Sequence, residues 1–104
     1  MKIPAGYTRL FPYLIVDHAE HYIDFLVAAL GGEEVDRSLR PDGAVANCSV
    51  RFGDTTIMVS QSTERYSAGR TTNYLFVENA DEAMRKALEN GGQLEMEVAD
   101  MPYG

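Results

Sequence analysis

The chain has 104 residues, 45% of them apolar and 24% charged, which suits one globular domain with a single core and is too short for two independent ones. Nine Lys and Arg against sixteen Asp and Glu give a net charge of −7 with no basic stripe, which argues against nucleic acid, because phosphate backbones are bound through clustered cations. No apolar run approaches the roughly 18 residues of a membrane span, the start Met1-Lys2-Ile3-Pro4-Ala5-Gly6 lacks a signal-peptide core, and the lone Cys48 fits a reducing compartment, so no membrane partner and a cytoplasmic location are expected.

Residues 8–16 read as a first strand, with Pro12 marking an edge or a local irregularity. Asp17 stands three residues before Glu20, the spacing of a capping box, and Tyr22, Ile23, Leu26, Ala29 and Leu30 recur at helical steps up to a Gly31-Gly32 stop. Residues 33–40 form a second strand, Pro41-Asp42-Gly43 a tight turn, and residues 44–52 a third strand. Gly53-Asp54 is a hairpin connection into a fourth strand over residues 55–60. Residues 61–71 are polar and without apolar period, so they link the halves, either as a cover over a site or as a plain connection. A fifth strand follows at 72–77, then a helix capped by Asn79 with Ala83, Met84, Ala87 and Leu88 on its apolar face, the stop Gly91-Gly92, and a sixth strand at 93–99.

The two halves match. Val16-Asp17-His18-Ala19-Glu20 leads into one helix and its double glycine, and Val77-Glu78-Asn79-Ala80-Asp81 leads into the other. A duplicated unit is the economical explanation: a βαβββ module over 8–60, a linker over 61–71, and a second module over 72–99 that reaches only βαβ.

Several segments carry a family likeness in order and spacing: Pro12-Tyr13-Leu14, Val16-Asp17, Ile23-Asp24-Phe25, Gly31-Gly32-Glu33-Glu34-Val35, Pro41-Asp42-Gly43, Gly53-Asp54 with Ile57-Met58, Val77 with Ala80-Asp81, and Pro102-Tyr103-Gly104. Together they make the chain resemble the vicinal-oxygen-chelate superfamily of glyoxalases, bleomycin-resistance proteins and extradiol dioxygenases, and within it the PhnB-like branch. The resemblance implies a single α+β domain over 1–104, built of two βαβββ modules whose curved mixed sheets surround a ligand cavity, with the helices outside. Members of that branch continue past a Pro-Tyr-Gly segment into a further hairpin, so the second sheet is expected to be two strands short. Open edges invite pairing, and the expectation is a homodimer whose partner covers the gap, or a chain that ends early.

The same resemblance puts the metal ligands of metal-using members at Phe11, Met58 and Thr72, none of which offers imidazole nitrogen or carboxylate oxygen. No metal and no other cofactor is therefore expected. Strand parity turns Phe11, Tyr13, Ile15, Tyr74 and Phe76 inward with Asn47, Ser49, Arg51, Thr56, Met58 and Ser60, while Ala44, Ala46, Cys48, Val50 and Phe52 lie under the helices. An aromatic wall with a few convergent polar groups suits a small molecule, and the candidate ligand-binding residues are Phe11, Tyr13, Asn47, Ser49, Arg51, Met58, Tyr74 and Phe76.

For Arg51 two readings stand, a fork for a ligand carboxylate or phosphate and a strand-end cation reaching solvent. Tyr13 and Tyr74 either stack a ligand or fill space between sheets. His18 and His21 have a metal-clamping spacing but lack a convergent third ligand, and Cys48 reads as a packed thiol rather than a nucleophile. The expected function is metal-independent binding of a small molecule in a cleft between sheets. The alternatives are a metal-dependent lyase, isomerase or dioxygenase of the same superfamily, and an interaction module that uses its open sheet edge. No catalytic residue emerges.

Overall fold

A computed structural model describes residues 1–94. Among them the chain runs β1 (Tyr13–Val16), α1 (Ala19–Ala28), β2 (Glu33–Leu39), β3 (Val45–Phe52), β4 (Thr55–Gln61) and α2 (Ala80–Glu89). The strands form one mixed sheet in the order β1-β4-β3-β2, in which β1 runs parallel to β4 and the other pairs are antiparallel. Helix α1 carries the chain from one sheet edge to the other across a single face, and two hairpins bring it back beside β1. Such a route needs a helix between β1 and β2 and only tight turns afterwards, which is the order of signals in the sequence.

Helix α1 lays Ala19, Ile23 and Leu26, at steps of four and three, on Cys48 and Val50 of β3 and Val59 of β4, all essentially buried. Val16, Tyr22, Phe25, Leu30, Phe52 and Ile57 pack around this cluster. The helix ends where Gly31 takes φ 77, and the Gly32 amide returns to the Leu26 carbonyl at 2.9 Å. Gly32 also has to be small: a Cβ there would stand 2.7 Å from Val50 Cγ1. Helix α2 ends the same way, with Gly91 at φ 97 and the Gly92 amide 2.7 Å from the Ala87 carbonyl. Its start is capped by the Asn79 side chain, which accepts from the Glu82 amide at 3.0 Å, as expected for that position.

Four expectations change. Strand β1 begins at Tyr13 rather than residue 8, because Pro12 has no N–H for a ladder and Thr8 turns its hydroxyl onto the Leu10 carbonyl at 2.7 Å. The capping box at α1 does not form: His18 is the N-cap residue in a left-handed conformation (φ 56, ψ 52), without a side-chain cap bond. The Ala19 amide donates instead to Gln61 Oε1 at 2.9 Å, Asp17 accepts from the Ser62 hydroxyl, and Glu20 pairs with Arg37 at 3.4 Å. In β3 a bulge between the pairs Ser38/Asn47 and Leu39/Val45 absorbs Ala46, so parity reverses and Val45, not Ala44 or Ala46, joins the buried cluster. Finally, none of β1–β4 pairs with residues 72–77, expected as a fifth strand. A strand needs a neighbour to satisfy its backbone, and the expected sixth strand at 93–99 falls largely outside the described residues.

Candidate functional site

Because α1 covers one face, the other is free to carry chemistry. Cross-strand partners share a face, and the register Tyr13/Met58/Ser49, Ile15/Ser60 and Arg51/Thr56 puts these residues together opposite α1. Part of that face is covered by the chain's own start. The Tyr7 hydroxyl lies 2.7 Å from Ser49 Oγ, the Thr56 hydroxyl donates to the Gly6 carbonyl, and Phe11 packs on Tyr7 with ring centroids 5.2 Å apart. Gly6, at φ 87, sits so close to the Arg51 guanidinium that any Cβ would collide with it. Arg51 Nε is buried there without a hydrogen-bond partner among the described residues. Arg51 therefore neither reaches freely into solvent nor faces an open cavity.

Beyond this strap the face opens into a hollow of about 310 Å³ lined by Tyr13, Ile15, Arg40, Ala46, Ser60, Gln61 and Tyr66. Each wall has a local cause. The Pro41-Asp42-Gly43 turn closes with Arg40 N to Ala44 O at 2.8 Å and Gly43 N to Arg40 O at 2.9 Å, while Asp42 Oδ1 accepts from the Ala44 amide at 2.9 Å. From that turn the Arg40 side chain reaches β4, where Nη2 donates to the Gln61 carbonyl at 2.8 Å and to Ser60 Oγ at 3.3 Å. The bulge that reversed the end of β3 brings the small Ala46 into the lining beneath it. Tyr66 comes from the 61–71 connection, which is tied down rather than loose. Ser62 N donates to Val16 O at 2.9 Å, Gly69 N to Ile15 O at 3.1 Å, and Thr63 and Tyr66 close a turn through Thr63 N to Tyr66 O at 2.8 Å and Tyr66 N to Thr63 Oγ1 at 2.9 Å.

Of the eight candidate residues, Tyr13 lines this hollow and Met58 stands beside it, half-buried, on β4. Ser49, Arg51 and Phe11 lie against the N-terminal strap, and Asn47 accepts from Ser38 Oγ at 3.1 Å on the neighbouring strand. Tyr74 and Phe76 stand elsewhere, their ring centroids 5.0 Å apart, in an apolar groove of about 430 Å³ on the α1 side with Tyr22, Phe25, Phe52 and Ile57. Arg40, Ala46 and Tyr66 escaped the sequence reading. Tyr66 had a signal, being the sole aromatic residue in the polar stretch 61–71, whereas the bulge behind Ala46 left none.

The donor chemistry at the positions implied for a metal does not fit one. Phe11 stacks on Tyr7, Met58 is a thioether and Thr72 stands exposed in the 72–77 segment. Among the described residues no three His, Cys, Asp or Glu side chains converge, and the His18 and His21 rings meet edge to face at 6.3 Å. Cys48 is buried against α1, and burial together with the Glu34 carboxylate pushes its thiol above the ordinary 9.0, away from a nucleophilic thiolate. Arg37 is held charged chiefly by its hydrogen bonds to Glu34, at 2.8 and 3.0 Å. No helix among the described residues is long and apolar enough to cross a membrane.

No protein-family model matches the chain. Among curated proteins it is similar to uncharacterized mycobacterial ones, 27% identical over 91% of its length: Mb0911c of Mycobacterium bovis and Rv0887c of Mycobacterium tuberculosis. The chain spans 70% of the first and 62% of the second. Among solved structures it is similar to TioX from Micromonospora sp. ML1, with TM-score 0.66 at 18% identity over 93% of this chain and 83% of that one. The At5g48480 gene product of Arabidopsis thaliana gives TM-score 0.70 at 22% identity over 88% and 79%, and SMU.1112c gives 0.61 at 21% over 92% and 84%. At such identities the likeness is one of fold: among the described residues, a small α+β domain with a four-stranded mixed sheet and two helices.

Proposed function

We propose that this chain is a metal-independent, small-molecule-binding member of the glyoxalase/bleomycin-resistance superfamily, close to its PhnB-like branch, and that its ligand enters the hollow opposite α1. The observation that carries the reading is the hollow itself, concave, with aromatic and aliphatic walls and a few convergent polar groups at Arg40, Ser60 and Gln61. Of the candidate residues Tyr13 and Met58 are the ones this reading keeps as contacts, while Asn47 bonds Ser38, and Phe11, Ser49 and Arg51 stand under the N-terminal strap and would reach a ligand only if the strap moved. Metal independence is supported by the side-chain types at Phe11, Met58 and Thr72, and a cytoplasmic location by the single reduced-type cysteine. Thermal denaturation with a broad panel of aromatic and glycopeptide-type ligands tests the reading, since a ligand of the folded state raises the midpoint. A flat response across the panel at millimolar concentration would remove it.

A homodimer is supported by a separate observation. Leu75, Phe76 and Val77 are 38, 86 and 41% exposed, and α2 buries no residue although its apolar positions follow a helical period. Apolar surface of that kind is ordinarily covered. In this reading a second copy covers the 72–77 segment, and Tyr74 and Phe76 reach a ligand only across that contact. Sedimentation of the purified chain tests it, with a monomer at 100-fold dilution and at high concentration alike as the adverse result.

A further inference from the structure

Among the described residues the hollow's lining holds one charged side chain, Arg40, in a chain whose net charge is −7. Among the described residues Lys2, Arg9, Arg51, Arg65 and Arg70 also lack an ion pair, but of these all except Arg51 are exposed, whereas Arg40 is half-buried. The ion pairs among the described residues gather at Arg37 with Glu34 and Glu20, and at Arg85 and Lys86 with Glu82 and Glu89, and none reaches Arg40. Arg40 is half-buried, and Nη2 is occupied by the Gln61 carbonyl and the Ser60 hydroxyl. Nε and Nη1 have no protein acceptor among the described residues. A partly desolvated guanidinium with neutral partners alone is worse off than one facing a carboxylate, so the site favours an anion before any ligand is considered.

The rest of the lining sets the ligand's body. Tyr13 and Tyr66 are 52 and 55% exposed, which leaves aromatic surface available for contact, and Ile15 and Ala46 give the floor an aliphatic character. A volume of about 310 Å³ lies at the small end of ligand sites, which suits one ring and a short acidic arm. Resting on the small-molecule reading above and narrowing it, we infer that the hollow takes a single-ring aromatic carboxylate, with the acid on Arg40 and the ring between Tyr13 and Tyr66. The N-terminal strap keeps Arg51 under Gly6 and Tyr7, and the Arg65 guanidinium lies over the Tyr66 ring at 5.3 Å from its centroid, so Arg40 is the cation in the lining itself and Arg65 covers one face of Tyr66.

The test uses phenylacetate against its neutral isostere phenylacetamide, and against acetate, which has the charge without the ring. Binding to the intact chain is followed by calorimetry and by amide chemical shifts. Phenylacetate is expected to bind roughly tenfold or more tighter than either control, in line with a charge-assisted contact plus a buried ring, with shifts centred on Ile15, Ala46 and Tyr66. Arg40→Gln should erase the preference for the acid and Arg40→Lys should keep part of it. The wild-type comparison stands by itself should Arg40→Gln unfold the turn. Equal affinity for acid and amide would overturn the inference while leaving small-molecule binding intact. Shifts clustered on other residues, or no binding of phenylacetate at 10 mM, would overturn it as well, whereas the broader reading fails only on its own ligand panel.

Discussion

Replacing Gln61 by Ala is the sharpest test of how α1 is anchored. Ala19 is fully buried, and its amide is satisfied by Gln61 Oε1 at 2.9 Å, a bond spanning 42 residues between β4 and the helix start. Removing that oxygen leaves a buried donor without a partner, a penalty of about 1–3 kcal/mol, and loss of a helix cap independently suggests about 1 kcal/mol. A loss of about 1–2 kcal/mol is therefore expected, which for a domain of this size lowers the thermal midpoint by roughly 5–15 °C. The Gln61 backbone carbonyl that receives Arg40 is unchanged, so the contact between Arg40 and β4 should persist. Urea denaturation of Gln61→Ala and Asp17→Ala, side by side, measures the effect. Among the described residues Asp17 accepts from the Ser62 hydroxyl in a bond at the surface, and its replacement should cost well under about 1 kcal/mol. A larger loss for Asp17→Ala than for Gln61→Ala would refute the reasoning and restore the capping box that the spacing of Asp17 and Glu20 suggests.

Gly32→Ala should destabilise by about 1–3 kcal/mol, because the new methyl meets Val50 Cγ1 at 2.7 Å and the Leu26 carbonyl at 3.0 Å, and a chemical-denaturation midpoint close to wild type would contradict that packing. Tyr7→Phe strips the buried Ser49 hydroxyl of its partner and should cost about 0.5–1.5 kcal/mol, with faster amide exchange across residues 4–8 as the accompanying sign of a released strap. Burial raises the Cys48 thiol above 9.0, so its neutral form stabilises the fold fully below that value, and the contribution is lost as the pH rises through the folded-state pKa. Wild type should accordingly lose more stability than Cys48→Ala as the pH rises above about 9, and parallel curves for the two would count against a buried thiol.

The βαβββ unit was legible because its signals are local. Alternation marks each strand, the steps from Ala19 to Ile23 to Leu26 mark the helix, and Gly31-Gly32, Pro41-Asp42-Gly43 and Gly53-Asp54 mark the ends, each a property of adjacent residues. Period-two parity likewise assigned Tyr13, Ser49, Arg51, Thr56 and Met58 to one face, because no bulge interrupts the ladder there. What escaped depended on neighbours far along the chain. The cap of α1 comes from Gln61, 42 positions from Ala19, the cover over Arg51 from Gly6 and Tyr7, which bond Thr56 and Ser49 50 and 42 positions away, and the wall of the hollow from Tyr66, and no spacing rule connects such partners.

By itself the sequence determined the order of elements from β1 to β4 and the place of α2, the turns between them and the face on which most of their side chains fall, since these follow from backbone preference and periodicity within a few residues. The strand expected at 72–77 was not among them. The tertiary structure alone decided where that face stays open. A bulge of one residue turned Ala46 outward, a strap closed the half holding Arg51, and a turn aimed Arg40 into the half that remained, and each depends on which distant segments pack together rather than on any local pattern.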